Sequence, residues 1–226
     1  RGKPMRKITK FIALAAVSAA AFSTAPAMAK QGDVLVRVRA INVMPNEDSS
    51  SILPAFPGED VSVNNSVMPE IDITYMATDN VGFELIAATT KHHASGKTGT
   101  TGTLGRLAST WVLPPTLTAQ YHFAPEGKVR PYVGAGVNYT IFYNEEASDS
   151  LVGAVGPTNV RMSDSFGWAA QAGVDIELSE RVFLNLDVKY IDIDTKATFN
   201  TTAAGTQVVD INLNPFVVGV GLGMKF

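Results

Sequence analysis

Charged side chains recur inside short apolar segments. Arg37 stands between Val36 and Val38, Asp72 between Ile71 and Ile73, and Glu84 between Phe83 and Leu85. Asp187 and Lys189 flank Val188, and Glu70, Gln120 and Asp175 have similar settings. Residues two apart on an extended chain share a face, so each segment has one apolar side and one charged side. Opposite charges on facing segments would pair, because an unpaired charge away from water is costly. The expected chemistry is a plug of salt bridges rather than an ion path. Histidine offers less. His92 and His93 are neighbours, and neighbours on a strand point to opposite sides, so together they make poor metal ligands. Nothing places a serine and a carboxylate specifically near His92, and His122 stands alone. No catalytic residue, metal or cofactor is predicted, and with no cysteine there is no disulfide or thiolate site.

The elements that must position these charges follow from the same alternation. It runs through eight segments: 34–41, 69–77, 81–88, 116–123, 132–141, 167–176, 182–190 and 216–226. The last sets Phe216, Val218, Val220, Leu222, Met224 and Phe226 against Gly219, Gly221, Gly223 and Lys225, and only Val217 breaks the pattern. An apolar face ending on an aromatic suits a strand that meets lipid. Short turns at 78–80, 124–128 and 178–181 alternate with long polar connections at 44–67, 91–112, 144–163 and 196–208. Aromatic residues cluster near segment ends, as interfacial girdles require. The prediction is all-β: an eight-stranded antiparallel transmembrane barrel with four long outer loops and short periplasmic turns.

The N-terminal region agrees. Met-Arg-Lys-Ile-Thr-Lys from Met5, the apolar run Phe11–Phe22 and Pro26-Ala-Met-Ala29 make the three parts of a Sec signal peptide. Residues 5–29 are therefore expected to be cleaved, leaving 30–226 as one barrel domain. The whole chain carries net charge −3, and residues 1–29 hold five cations and no acid, so 30–226 carries −8. That acidity argues against a nucleic-acid partner.

Several motifs then carry a family resemblance. Met76-Ala-Thr-Asp-Asn80, Leu113-Pro-Pro-Thr-Leu117, Arg130-Pro-Tyr-Val-Gly-Ala-Gly-Val-Asn-Tyr-Thr140, Tyr190-Ile-Asp-Ile-Asp-Thr195 and Asn214-Pro-Phe216 resemble the OmpW family of outer-membrane proteins. The resemblance covers 33–226 and extends to alkane-uptake barrels. It implies a Gram-negative outer membrane and passive movement of small hydrophobic molecules. Membrane lipid would surround the chain, and the assembly machinery would read the terminal strand at Phe226.

An eight-stranded barrel has a lumen that side chains can fill, so an open aqueous pore is not expected. Arg37, Asp72, Glu84, Asp187 and Lys189 would form the plug. Above them Ile41, Ile86, Ala88 and Phe142 fall inward by parity. Leu53, Phe56, Leu104 and Leu107 add apolar groups in the loops, and a bulge would bring in Phe166, although alternation from Val174 points it outward. The residues alone leave a ligand pocket and loop-on-loop packing equally open; the resemblance favours the pocket. A structural or receptor barrel with adhesive loops is the alternative, and it would show a lumen filled throughout. Pro114 and Pro115 lack backbone donors and suggest a gap in the wall beside the fourth strand, through which a guest could leave sideways. Terminating pairing and steering the second loop is the other role open to them.

Overall fold

The computed structural model describes residues 30–226, and the expected signal segment lies outside the described residues. The chain forms β1 (Val34–Met44) and then two short pieces, β2 (Asp48–Ser49) and β3 (Val61–Val63). β4 (Ser66–Met76) and β5 (Val81–Ala88) follow, and β6 (Thr90–Gly96), helix α1 (Gly99–Leu104) and β7 (Arg106–Leu113) form a hairpin. Next come β8 (Thr116–His122) and the long β9 (Val129–Ala147). Helix α2 (Asp149–Val155) and β10 (Thr158–Met162) lead into β11 (Ser165–Glu177) and β12 (Val182–Ile191). The hairpin β13 (Asp194–Thr201) and β14 (Gly205–Asn212) precedes the last strand, β15 (Phe216–Lys225).

Eight of these close on themselves in the order β1-β4-β5-β8-β9-β11-β12-β15, with β15 returning to β1. Every pairing is antiparallel, and the closing ladder runs from Leu35 opposite Lys225 to Met44 opposite Phe216. A one-residue slip would exchange the two faces of a strand, so the alternation in the sequence fixes what each face meets. Val38, Leu85 and Leu222 are more than half exposed on the outside, whereas Arg37 and Glu84 are fully buried inside. A continuous apolar exterior of this kind is stable against lipid and not against water. Near the outer rim the rings of Trp168, Tyr190 and Phe216 touch at centroid distances of 5.2 and 5.3 Å. At the opposite rim Tyr121 and Phe123 meet edge to face at 5.2 Å. These are the two girdles.

The second barrel strand begins at Ser66 rather than Pro69, and β9 continues six residues past Ile141. The four outer connections contain regular structure that their polar composition hid. A four-stranded sheet, β10-β13-β14-β2, stands above the barrel. Its buried residues Ala197, Phe199, Val209 and Ile211 join one hydrophobic core with Ile41 and Phe142 of the lumen. Val217 does not break the terminal pattern: it points inward and is buried in that core.

Two cross-strand contacts shape the lower lumen. Gly173 lies opposite Tyr132 and Gly223 opposite Phe183. A Cβ at either glycine would strike the facing ring, so each glycine lets an aromatic lie flat across its neighbour.

The topology predicts which single cysteines will react in this cysteine-free chain. Thr100→Cys, Ser150→Cys and Ala203→Cys should label on intact cells with a membrane-impermeant maleimide, and Ser179→Cys should not. Labelling of Ser179→Cys with protection of the other three would reverse the orientation.

Candidate functional site

The lower lumen is filled by a continuous ionic network. Arg37 Nη1 donates to Asp72 Oδ1 at 2.9 Å and to Thr74 Oγ1 at 2.7 Å, while its Nη2 reaches Asp175 Oδ2 at 3.1 Å. Arg39 Nε lies 2.8 Å from Glu70 Oε1, its Nη2 binds the second oxygen of Asp72, and its Nη1 donates to Asn185 at 3.0 Å. Glu84 bridges both guanidiniums at 3.3 Å and accepts from Gln171 Nε2 at 2.6 Å. Lys189 Nζ sits 2.7 Å from both Glu70 and Asp187. The Arg37 guanidinium also lies over the rings of Tyr132 and Phe183, at 5.4 and 5.6 Å. Buried charges persist where partners surround them, and these partners come from β1, β4, β5, β11 and β12. The result is a floor.

Arg39, Tyr132 and Asn185 complete this floor and were not predicted. Arg39 had a visible signal, since it shares the inward parity of Arg37. Asn185 had the same signal, two residues from Asp187, whereas Tyr132 had only the indirect one of a glycine opposite an aromatic. Tyr132 donates to Asp187 at 2.9 Å and accepts from Asn185 at 3.0 Å.

Above the floor the lumen turns apolar. A cavity is walled by Ile41, Val43, Ile86, Val112, Phe142 and Val217, with Ile191, Ile211 and Leu213 higher up. The floor pair Glu70 and Lys189 forms its base. The centre of a water-sized sphere has about 70 Å³ to move in, several times the roughly 10–15 Å³ that admits one water on the same measure. Polar groups are confined mainly to the side of β6, β7 and β8. There His92 binds Asn64 O through Nδ1 at 2.9 Å and Thr90 Oγ1 through Nε2 at 3.1 Å. Burial holds the His92 imidazole below its usual range, so near neutrality it is an uncharged part of the wall.

The predicted residues divide cleanly. Ile41, Ile86 and Phe142 line the cavity. Leu107 and Phe56 instead line a smaller space beneath the outer sheet with Leu151 and Phe199, and Leu104 packs against the same core. Leu53 is half exposed: its backbone pairs with Val208 and carries the side chain outward. Phe166 is 73% exposed on the barrel exterior, because β11 runs without a bulge and pairs it with Tyr139. Phe226 is exposed, its backbone exchanging hydrogen bonds of 3.1 and 2.9 Å with Val34.

Pro114 and Pro115 separate β7 from β8. On one side the wall is intact, since Tyr139 N donates to Pro115 O at 3.1 Å. On the other, the β5–β8 ladder stops at Ile86 opposite Thr116, and pairing resumes only at Thr90 opposite Val112. Pro114 reaches the cavity across this unpaired seam.

Comparison with known proteins gives a consistent answer. A sequence model of the OmpW family matches residues 30–226. Outer membrane protein W of Vibrio cholerae is 39% identical over 210 residues, covering 92% of this chain and 95% of that protein. Outer membrane protein W of Escherichia coli is 37% identical over 224 residues, covering 98% and 100%. The crystal structure of OprG from Pseudomonas aeruginosa superposes with a TM-score of 0.82 at 33% identity, covering 89% of this chain and 99% of that one.

Removing one partner from the floor should be costly. Arg37→Met strands Asp175 without its guanidinium, leaves Asp72 with Arg39 alone, and should destabilise the barrel by about 3–5 kcal/mol. Urea unfolding in lipid vesicles measures it. Combining Arg37→Met with Asp175→Asn should recover part of that loss, whereas two additive losses would show that the pair does not interact.

Proposed function

The chain belongs to the OmpW family of outer-membrane β-barrels, and on that footing we propose that it passively admits small hydrophobic molecules through its apolar upper lumen. The observation that carries this reading is the change of character along the barrel axis. Apolar walls enclose a space of about 70 Å³ directly above a floor of buried, mutually paired charges. An apolar guest gains from leaving water for such a site, by roughly 0.8 kcal/mol per buried methylene. It gains nothing by going on into a packed ionic network, whose charges would lose partners to let it pass.

The direct route is therefore unfavourable, and the seam beside Pro114 and Pro115 offers another. Missing ladder bonds weaken a wall that hydrocarbon otherwise forces to stay paired. The seam opens from the cavity toward the lipid-facing side near the outer girdle, so a guest would pass into the outer leaflet. The receptor alternative needs a lumen filled throughout, and the cavity counts against it.

Two variants separate the steps. Ile86→Trp should fill the cavity and abolish vesicle uptake of a fluorescent hydrophobic probe, with the floor untouched. Pro114→Val with Pro115→Thr restores two donors without loss of β propensity and should cut uptake while stability holds or rises. Uptake unchanged by Ile86→Trp would remove the pocket from the mechanism; uptake unchanged by the proline variant would remove only the lateral exit.

A further inference from the structure

The outer face of the β6–β7 hairpin carries cations that the hydrophobic guest has no use for. Going up that wall from the periplasmic turn, the outward residues are Val81, Phe83, Leu85, Ala87, Thr89, Lys91 and His93. Ten residues at about 3.3 Å each, tilted by about 40°, put Lys91 roughly 25 Å above Val81 along the barrel axis, the height of the apolar band. Lys91 therefore sits where acyl chains give way to headgroups. The aromatic groups confirm the level. Lys91 pairs with Trp111 across the hairpin, its Nζ lies 5.8 Å from that ring, and Trp111 stacks on Tyr143 at 6.4 Å.

Higher on the same hairpin, His93 faces Ser109 and Ser95 faces Arg106. Lys91 and Arg106 lie close enough to His93 to hold its imidazole below the usual range, after the larger effect of burial. Among the described residues, Lys97 pairs with Glu47 and Lys196 with Asp210 elsewhere on the outer structure. Among the described residues Lys91 and Arg106 have no such ion pair, although exposed Glu146 stands level with Ser109 on β9. Two unneutralised cations, one already ordered on an aromatic ring, face the headgroup layer of the outer leaflet.

We propose that Lys91 and Arg106, with the Trp111 ring as a seat, bind a phosphate-bearing lipid headgroup of the outer leaflet. The fit is one of charge and of depth. A lysine held by a cation–π contact loses less freedom on meeting an anion, and an arginine offers a fork of donors to phosphate oxygens. The bound lipid would lie against the hairpin that borders the seam, and so would hold that part of the wall in place from outside.

The test uses the folded full chain in neutral detergent micelles, titrated with diphosphoryl lipid A and with the same lipid stripped of phosphate. Native mass spectrometry reads the bound fraction. Lys91→Gln with Arg106→Gln should weaken binding of the diphosphoryl form by about thirtyfold, at the usual strength of one basic side chain near an anionic surface. Lys196→Gln should leave it unchanged, and Lys91→Arg with Arg106→Lys should retain it, with heat-modified gel mobility showing each variant folded. Equal binding of the dephosphorylated lipid, an undiminished double variant, or an equal loss in Lys196→Gln would overturn the site. Competition by millimolar inorganic phosphate as effective as lipid A would overturn its assignment to a lipid.

Discussion

A strand in hydrocarbon has no water to satisfy its backbone, so every N–H and C=O within the membrane must find a partner in the chain. Closure of β15 on β1 meets that requirement along ten consecutive register pairs. Most other features follow from it. Eight strands closed in this way leave a lumen that side chains can fill, and one face of each strand must then carry whatever the lumen holds. The sequence alternation sends apolar groups to lipid and leaves charge, amide and hydroxyl groups inside. Toward the outer end of the same strands the inward positions turn apolar at Ile41 and Ile86, while Leu85 and Val218 keep the exterior facing lipid.

The barrel was legible because lipid makes the alternation strict. Phe83, Leu85 and Glu84 can be assigned to their faces from parity alone, and the same holds for Arg37 and Asp187. The outer structure was less legible because its strands have no lipid face. Ala197, Phe199, Val209 and Ile211 alternate as cleanly as any barrel strand, but Thr, Asn and Asp between them resemble a solvated loop. The pocket residues followed that division. Ile41, Ile86 and Phe142 lie on membrane-strand parity and line the cavity, while Leu53 and Phe56 depended on the path of an irregular loop that no periodicity fixes. Phe166 shows how parity can outweigh an assumed bulge.

The wall of the cavity belongs partly to the barrel and partly to the sheet above it, in one continuous core. Glu59 ties the first outer connection to helix α1 through the amides of Thr100 and Thr101, at 2.9 and 2.7 Å. Gln207 accepts from Ala55 N at 2.8 Å and ties it to β14. The upper lumen is thus framed by hydrogen-bonded structure, while an unpaired stretch lies in the barrel wall beside Pro114 and Pro115. Rigidity above and below the seam concentrates any yielding of the wall at that place.

The floor also bears on the order in which the protein can be assembled. Both guanidiniums that centre it stand on β1, the strand made first, while Asp175 and Asp187 stand on β11 and β12. Along the chain Arg37 and Asp175 are far apart, and they meet only across a closed circle. An open sheet of six or seven strands would hold these charges in a half-formed lumen without their full complement. Arg37 and Arg39 can meet Glu70, Asp72 and Glu84 as soon as β1, β4 and β5 pair. Their contacts to Asp175 and Asp187 wait for the last seam, so that closure is felt by the interior as the completion of its charge balance, a checkpoint written in electrostatics as well as in backbone pairing.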